Sequence, residues 1–266
     1  MPYTLAHPAA VLPLRRFRSL PFLPLLVGSI APDTPFYVPR ALSSLFPNSH
    51  TLEGSVLVSL PAGLIVLWLL VALRGPLTTL LWDPHRALVC AGLAEFLRQP
   101  RRWLYAVPAL LIGIWLHIAW DSFTHYDGWV VEHAAWLRVP LPLFGKEAAV
   151  YHLLQYASSA AGLLALFVWY RERVRRARAS TYPLPQRDWR PFALTAMLVL
   201  AAASGLLAAF QSPPADRASF YMMASVTLTM GSGVLAVEVL TIGTLLAVNS
   251  VAQRRERRDC AGAARG

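Results

Sequence analysis

The sequence predicts an all-α, polytopic integral membrane protein, with about five transmembrane helices and a short N-terminal hairpin. Three observations carry this. The 266 residues are 56% hydrophobic and only 14% charged, with a mean hydropathy of +0.47, whereas a soluble domain is nearer a quarter charged. Several apolar runs approach the roughly 20 residues that cross a bilayer. Arginine-rich connections alternate with arginine-poor ones, the pattern of a chain threaded through a membrane.

The net charge of +10 would suggest nucleic acid in a soluble protein. Here the arginines flank apolar runs, so they explain orientation and imply no nucleic-acid partner. Cys90 and Cys260 both lie in segments assigned to the cytoplasm, which argues against a disulfide framework or a zinc–thiolate site. The N-terminus lacks the order of basic, apolar and small-residue regions of a cleavable signal peptide.

Residues 1–53 read as a re-entrant or interfacial segment. Pro8 suits the first turn of a helix and places His7 near its N-cap. Ser19 to Ile30 is apolar but short for a span, and holds Pro21 and Pro24. Ala31-Pro32-Asp33-Thr34-Pro35 reads as a turn. Asn48 to Glu53 carries the polar residues of a helix start.

Residues 54–170 read as a three-span core. Its first span runs from Gly54 to Leu73, closed by Arg74. Residues 76–102 read as a basic loop with an interfacial helix. The second span runs from Trp103 to about Ser122, Tyr126 to Ala149 forms a loop, and Val150 to Tyr170 is the third span. Residues 171–190 form a basic loop. Residues 191–251 hold two C-terminal spans, joined by a turn with Pro213, Pro214, Asp216 and Arg217. Gly231-Ser232-Gly233 is a candidate bend in the last. Residues 252–266 form a basic tail.

The positive-inside rule puts loops 74–102, 171–190 and 252–258 in the cytoplasm of a bacterial plasma membrane. His50, the group His117, Asp121 and His125, and His152 then fall at outer span ends. Only the arginines were used to orient the chain, so this gathering is an independent observation. His7 reaches the same face only if residues 7–31 form a hairpin.

The stretch His117 to His125 is the chemical centre of the sequence. His117, Asp121 and His125 recur at i, i+4 and i+8, within an arc of about 80° on a helix. Imidazole and carboxylate are metal ligands, and an i, i+4 pair is a standard way to hold one ion. Inside a membrane such groups are costly unless paired, bound or facing a cavity. Eight residues rise roughly 12 Å, so His117 and His125 share a centre only if the helix stops near Ser122 or two ions lie along the stripe. Asp121 could then bridge the ions. Asp33 and His50 are further ligand candidates at this face. Glu53 reads as a helix cap or a base. His152, Gln155 and Ser159 form a polar stripe on the third span, suited either to orienting ligands by hydrogen bonds or to holding helices together. Glu238, inside the last span, must pair, be protonated or face water. His85 and His133 read as loop residues.

The stretches Met1 to Ala10, Gly28-Ser29-Ile30-Ala31-Pro32-Asp33, Ser49-His50-Thr51 and Asp121 to Gly128 resemble the bacterial family called domain of unknown function 4184. The resemblance covers most of residues 1–170 and, more weakly, the C-terminal spans. More distantly, Ser49-His50-Thr51 and His117 with Asp121 are similar to elements of inner-membrane proteins described as metal-dependent hydrolases. His7, Asp33 and His125 match the narrower family pattern, which implies no activity.

Three functions compete. The first is a metal-dependent hydrolase at the outer membrane face, acting on a lipid or lipid-linked ester or phosphoester. Its ligands would be His50, His117, Asp121 and His125, joined by His7 and Asp33, with zinc favoured and manganese or iron open. The second is a proton-coupled carrier using the histidines and Glu238 as a relay. The third is a non-catalytic membrane scaffold.

Overall fold

The computed structural model describes residues 4–17, 19–37, 47–98, 100–143, 146–178, 189–211 and 220–263. It is mostly helical, and five helices are long and apolar enough to cross a membrane: Leu52–Ala72, Ala106–His133, Val150–Ala177, Arg190–Gln211 and Val226–Leu246. The protein is multi-pass by this composition. Its chain forms two compact units, one of Met1–Trp68 with Gly92–Arg176, the other of Leu69–Ala91 with Ala177–Gly266.

The first unit opens with a 3-10 segment over Thr4–Arg16. His7 is therefore inside a helical run and not at an N-cap. Pro8 and Pro13 each remove an amide donor and collide with an α-helical i−4 carbonyl, which accounts for the tighter coil. Helix α1 follows at Phe22–Gly28, with seven residues, far short of a span. A second 3-10 segment, Ala31–Tyr37, carries Asp33. Helix α2, Leu52–Ala72, is capped by the Thr51 hydroxyl, which accepts from Gly54 N at 3.0 Å. Thr51 rather than the exposed Glu53 does the capping. A π-helical turn at Ser55–Ser59 follows within α2, an irregularity that often marks a functional site.

The N-terminal hairpin packs on helix α6, Ala106–Thr124. Val11, Leu25 and Ala109 form the contact, with Leu14, Phe22, Leu26, Ile112 and Leu116 around them. Gly28 and Gly113 let the two backbones meet, because a Cβ at Gly28 would run into Leu110 O and one at Gly113 into Leu25 O. Small residues at such crossings are the usual means of close packing in membranes. Arg15 closes the hairpin from outside, its guanidinium 5.2 Å from the Phe22 ring centre and 5.0 Å from that of Trp169.

The stretch after α6 is more ordered than a loop. Helix α7 occupies Trp129–His133, and an antiparallel pair joins β1, Pro140–Leu143, to β2, Lys146–Ala149. Helix α8 runs from Val150 to Arg178, so Arg171 to Arg178 continue the helix where a loop was expected. Trp120 Nε1 donates to Ser158 Oγ at 3.2 Å and ties α8 to α6.

Residues 76–102 are helical in three pieces: α3 begins before them at Arg74–Thr79, then come α4, His85–Leu97, and α5, Pro100–Leu104. In the second unit, α9, Arg190–Gln211, packs along α10, Phe220–Ala263. The alanine-rich face of α9 serves the close packing its composition suggests: Gly205 and Gly231 each sit where a Cβ would press on the other helix's backbone, at Thr227 and Ala201. Helix α10 continues unbroken through Gly231-Ser232-Gly233. Ser232 bonds back to Leu228 O at 2.6 Å within the helix. The turn with Pro213, Pro214, Asp216 and Arg217 lies outside the described residues, as do residues 179–188 of the basic connection.

Candidate metal centre

Helix α6 presents His117 and Asp121 on one face and ends at Thr124. His125 is the C-cap residue, with extended φ −110° and ψ 147°. The helix thus stops where the stripe required it to, and the His125 ring turns back to Asp121, its Nδ1 3.4 Å from Oδ1. The hairpin and the start of α2 bring in the rest. His50 Nε2 lies 3.4 Å from Asp33 Oδ1 and 3.3 Å from Asp121 Oδ2. His117 Nε2 lies 3.5 Å and 3.1 Å from the same two oxygens. His7 Nε2 is 3.5 Å from Asp121 Oδ1. Residues more than a hundred positions apart converge on one carboxylate.

The surrounding hydrogen bonds fix which atoms face inward. His117 Nδ1 sits 2.7 Å from Ser29 O, an acceptor, so Nδ1 carries the proton and Nε2 keeps its lone pair. Ser49 Oγ gives its single proton to Pro32 O at 2.8 Å. It therefore accepts from His50 Nδ1 at 3.1 Å, leaving the His50 lone pair on Nε2. Thr4 donates to Asp33 Oδ2 at 2.5 Å and leaves Oδ1 free. Each of these partners turns a ligand the way outer-shell groups turn ligands in metal sites.

Asp33, His50, His117 and Asp121 offer four atoms within 4.8 Å of one another, and this group could hold a metal ion. Donors held about 2.0–2.1 Å from a tetrahedral ion lie roughly 3.3–3.4 Å apart. The four His–Asp edges, 3.1–3.5 Å, match that spacing. Asp33 Oδ1, His117 Nε2 and both oxygens of Asp121 are buried without a hydrogen-bond partner. Buried polar atoms are nearly always satisfied, and carboxylates set among imidazoles at ion-ligand spacing are ones a bound cation would satisfy. The residues present fit such a group.

Protonation outside the spans agrees. Burial, with the neighbouring His117, pushes the His7 pKa down to about 4, so His7 is neutral at neutral pH. Burial opposes charge on Asp33 and His50 alike. The imidazoles beside Asp33 outweigh it and hold the carboxyl well below its usual range; the two carboxylates beside His50 raise the imidazole. A cation entering the centre competes with a proton for His50 Nε2, so its affinity falls in acid.

The sequence model of the family described as Domain of unknown function (DUF4184) matches residues 1–247. The chain belongs to this family. No curated protein and no solved structure matches it. The part matched to DUF4184 contains His7, Asp33, His50, His117, Asp121 and His125, together with all five candidate spans.

The other candidates in this DUF4184 chain stand differently. Gln155 is buried on α8, and Ser158 and Ser159 bond back to its carbonyl at 3.2 Å and 2.7 Å. His152 lies against Tyr151, with ring centres 4.3 Å apart. His133 bonds back to Trp129 O at 2.7 Å on short α7, and His85 packs on Trp82. Glu238 Oε2 is buried without a hydrogen bond in the second unit. Sequence reasoning passed over Thr4 and the Ser29 carbonyl. Thr4 had a signal, since at three residues per 3-10 turn it eclipses His7.

Proposed function

We propose that this DUF4184 protein is a metal-dependent hydrolase of the bacterial plasma membrane, acting at the outer face on an ester or phosphoester of a lipid or lipid-linked molecule. The observation that carries it is the set of buried, hydrogen-bond-free donor atoms of Asp33, His117 and Asp121 at the spacing of an ion's coordination sphere. A divalent cation supplies Lewis acidity and makes water nucleophilic at neutral pH. Zinc suits the mixed imidazole and carboxylate donors, and manganese and iron accept them too. The chain's residues hold the cation, with Ser49, Thr4 and the Ser29 carbonyl keeping the donors turned inward. The centre sits where α2 begins and α6 ends, which favours a substrate whose scissile bond lies at headgroup depth. Hydrolysis adds water oxygen to the acyl carbon or phosphorus, breaks the ester bond and releases the alcohol with water's proton.

The test is turnover by purified, metal-restored protein in lipid vesicles, read as free fatty acid or phosphate from lipid esters and phosphoesters. Release that stops with chelator and returns with metal is expected. A fully metal-loaded protein that hydrolyses none of them leaves the ion a structural role and overturns the reading. Glu238 supports a carrier as second reading, because its unpartnered oxygen is suited to a proton relay. Cation-driven solute uptake into vesicles, lost in Glu238→Gln, would favour it; a metal-free protein without transport would leave the scaffold.

Orientation is open to a separate check. A reporter fused after Arg178 is expected in the cytoplasm and one near Asp216 outside, following the arginine alternation. The opposite pair of results rejects the outer-face assignment.

A further inference from the structure

We infer that the centre holds two divalent cations, with Asp121 as the carboxylate that bridges them and His7 and His125 as ligands of the second. This rests on reading Asp33, His50, His117 and Asp121 as the site of a first ion. Those four residues spend Asp121 Oδ2 and leave Oδ1 unused. Oδ1 faces away from Asp33 and His50 contacts and toward two other imidazoles, His125 Nδ1 at 3.4 Å and His7 Nε2 at 3.5 Å. Both distances repeat the roughly 3.3–3.4 Å edge of a tetrahedral ion's donor set. A carboxylate with one oxygen on each ion suits the separation of about 3.5–4 Å typical of two-metal sites.

His7 supplies the independent observation. It is only 4% exposed, and neither ring nitrogen has a hydrogen-bond partner. Its ring is stacked on that of His117, with centres 3.7 Å apart and planes at 19°. A histidine kept merely to hold helices together would spend its ring nitrogens on hydrogen bonds. His7 spends neither, and aims Nε2 at the free oxygen of Asp121. His125 Nδ1 also lies 3.2 Å from Asp121 O, a carbonyl that only accepts, so an ion bound at Nδ1 must displace this hydrogen bond and leave the proton on Nε2.

The second ion has a chemical consequence. Four protein donors close a tetrahedral first ion, the arrangement of structural sites, whereas catalytic sites keep a position open. The second ion has three protein donors, and His125 at its edge is partly exposed. The open position therefore belongs to the second ion. With the first ion expanding to five-coordination in the transition state, a paired centre of this kind favours a phosphoester over a carboxylic ester, since the two cations could then take the attacking and leaving oxygens of an in-line displacement.

The experiment uses the full chain, purified, stripped of metal and reloaded with manganese(II), and reads metal per chain together with the electron paramagnetic resonance spectrum. Two manganese ions per chain with an exchange-coupled spectrum are expected. His7→Ala and His125→Ala should each reduce the content to one ion, with the spectrum of isolated manganese. His125 ends the helix through its backbone, so its alanine variant keeps the fold if His7→Ala does not. One ion per chain in the parent, unchanged by either substitution, overturns the second site and leaves the first standing. Two ions in parent and both variants, with the same spectrum, overturns the assignment of His7 and His125. No manganese in the parent overturns both sites together.

Discussion

Asp121→Asn is expected to strip the centre of metal while the protein still inserts and folds. Asp121 is the one residue that meets His7, His50, His117 and His125 at once, at 3.5, 3.3, 3.1 and 3.4 Å. Asparagine keeps its shape and removes the charge that balances the cation. It also replaces one carboxylate oxygen with an amide nitrogen that has no lone pair to give. Loss of an outer-shell partner alone costs 10–100-fold in metal affinity, so loss of this ligand should exceed about 100-fold. Metal per chain, measured on parent and variant purified identically without chelator, decides the matter. Were Asp121 only a tie between helices, asparagine could still bond across them and the metal content would not change. Equal occupancy above background would therefore remove Asp121 from the ligand set. A parent that takes up no metal even after metal is added back would remove the metal reading altogether.

The spans and the stripe on α6 were legible because both depend on local periodicity. Apolar run length and a 3.6-residue repeat suffice to place His117, Asp121 and His125 on one face. His7 and Asp33 were legible as residue types but not as neighbours. Their approach depends on a hairpin seated by Val11, Leu25 and Ala109 and by the Gly28–Gly113 crossing, contacts that no sequence period encodes. The β-hairpin lies in the stretch read as a loop, and its first strand holds Pro140 and Pro142. Amides two residues apart point to the same edge, and Val139 O accepts from Val150 N at 3.2 Å on the edge facing β2. Pro140 and Pro142 therefore lack their donors on the outer edge, where proline is tolerated. The candidate bend at Gly231-Ser232-Gly233 lies within unbroken helix. Gly231 there allows close approach to the Ala201 backbone.

Gly113→Ala is expected to disable the centre from outside it. A Cβ at residue 113 would strike Leu25 O and lie 2.8 Å from Ser29 N and 2.9 Å from Gly28 C. All three are backbone atoms, which cannot swing aside as a side-chain tip can, so α1 must move off α6. Overpacking of this kind costs roughly 1–3 kcal/mol. Ser29 O is the acceptor that holds His117 Nδ1 at 2.7 Å, and α1 is the chain between the segments carrying His7 and Asp33. Its displacement therefore releases the His117 ring and shifts two further donors together. Metal content should fall with thermal stability, although no ligand has been altered. Gly233→Ala supplies the contrast, because a Cβ there meets nothing within 4 Å. Alanine in the middle of a helix should then stabilise by about 0.5–1 kcal/mol. Melting followed by circular dichroism, with metal analysis of the same samples, checks both. A Gly113→Ala protein that melts with the parent and keeps its metal would show that the Gly28–Gly113 crossing does not position the centre.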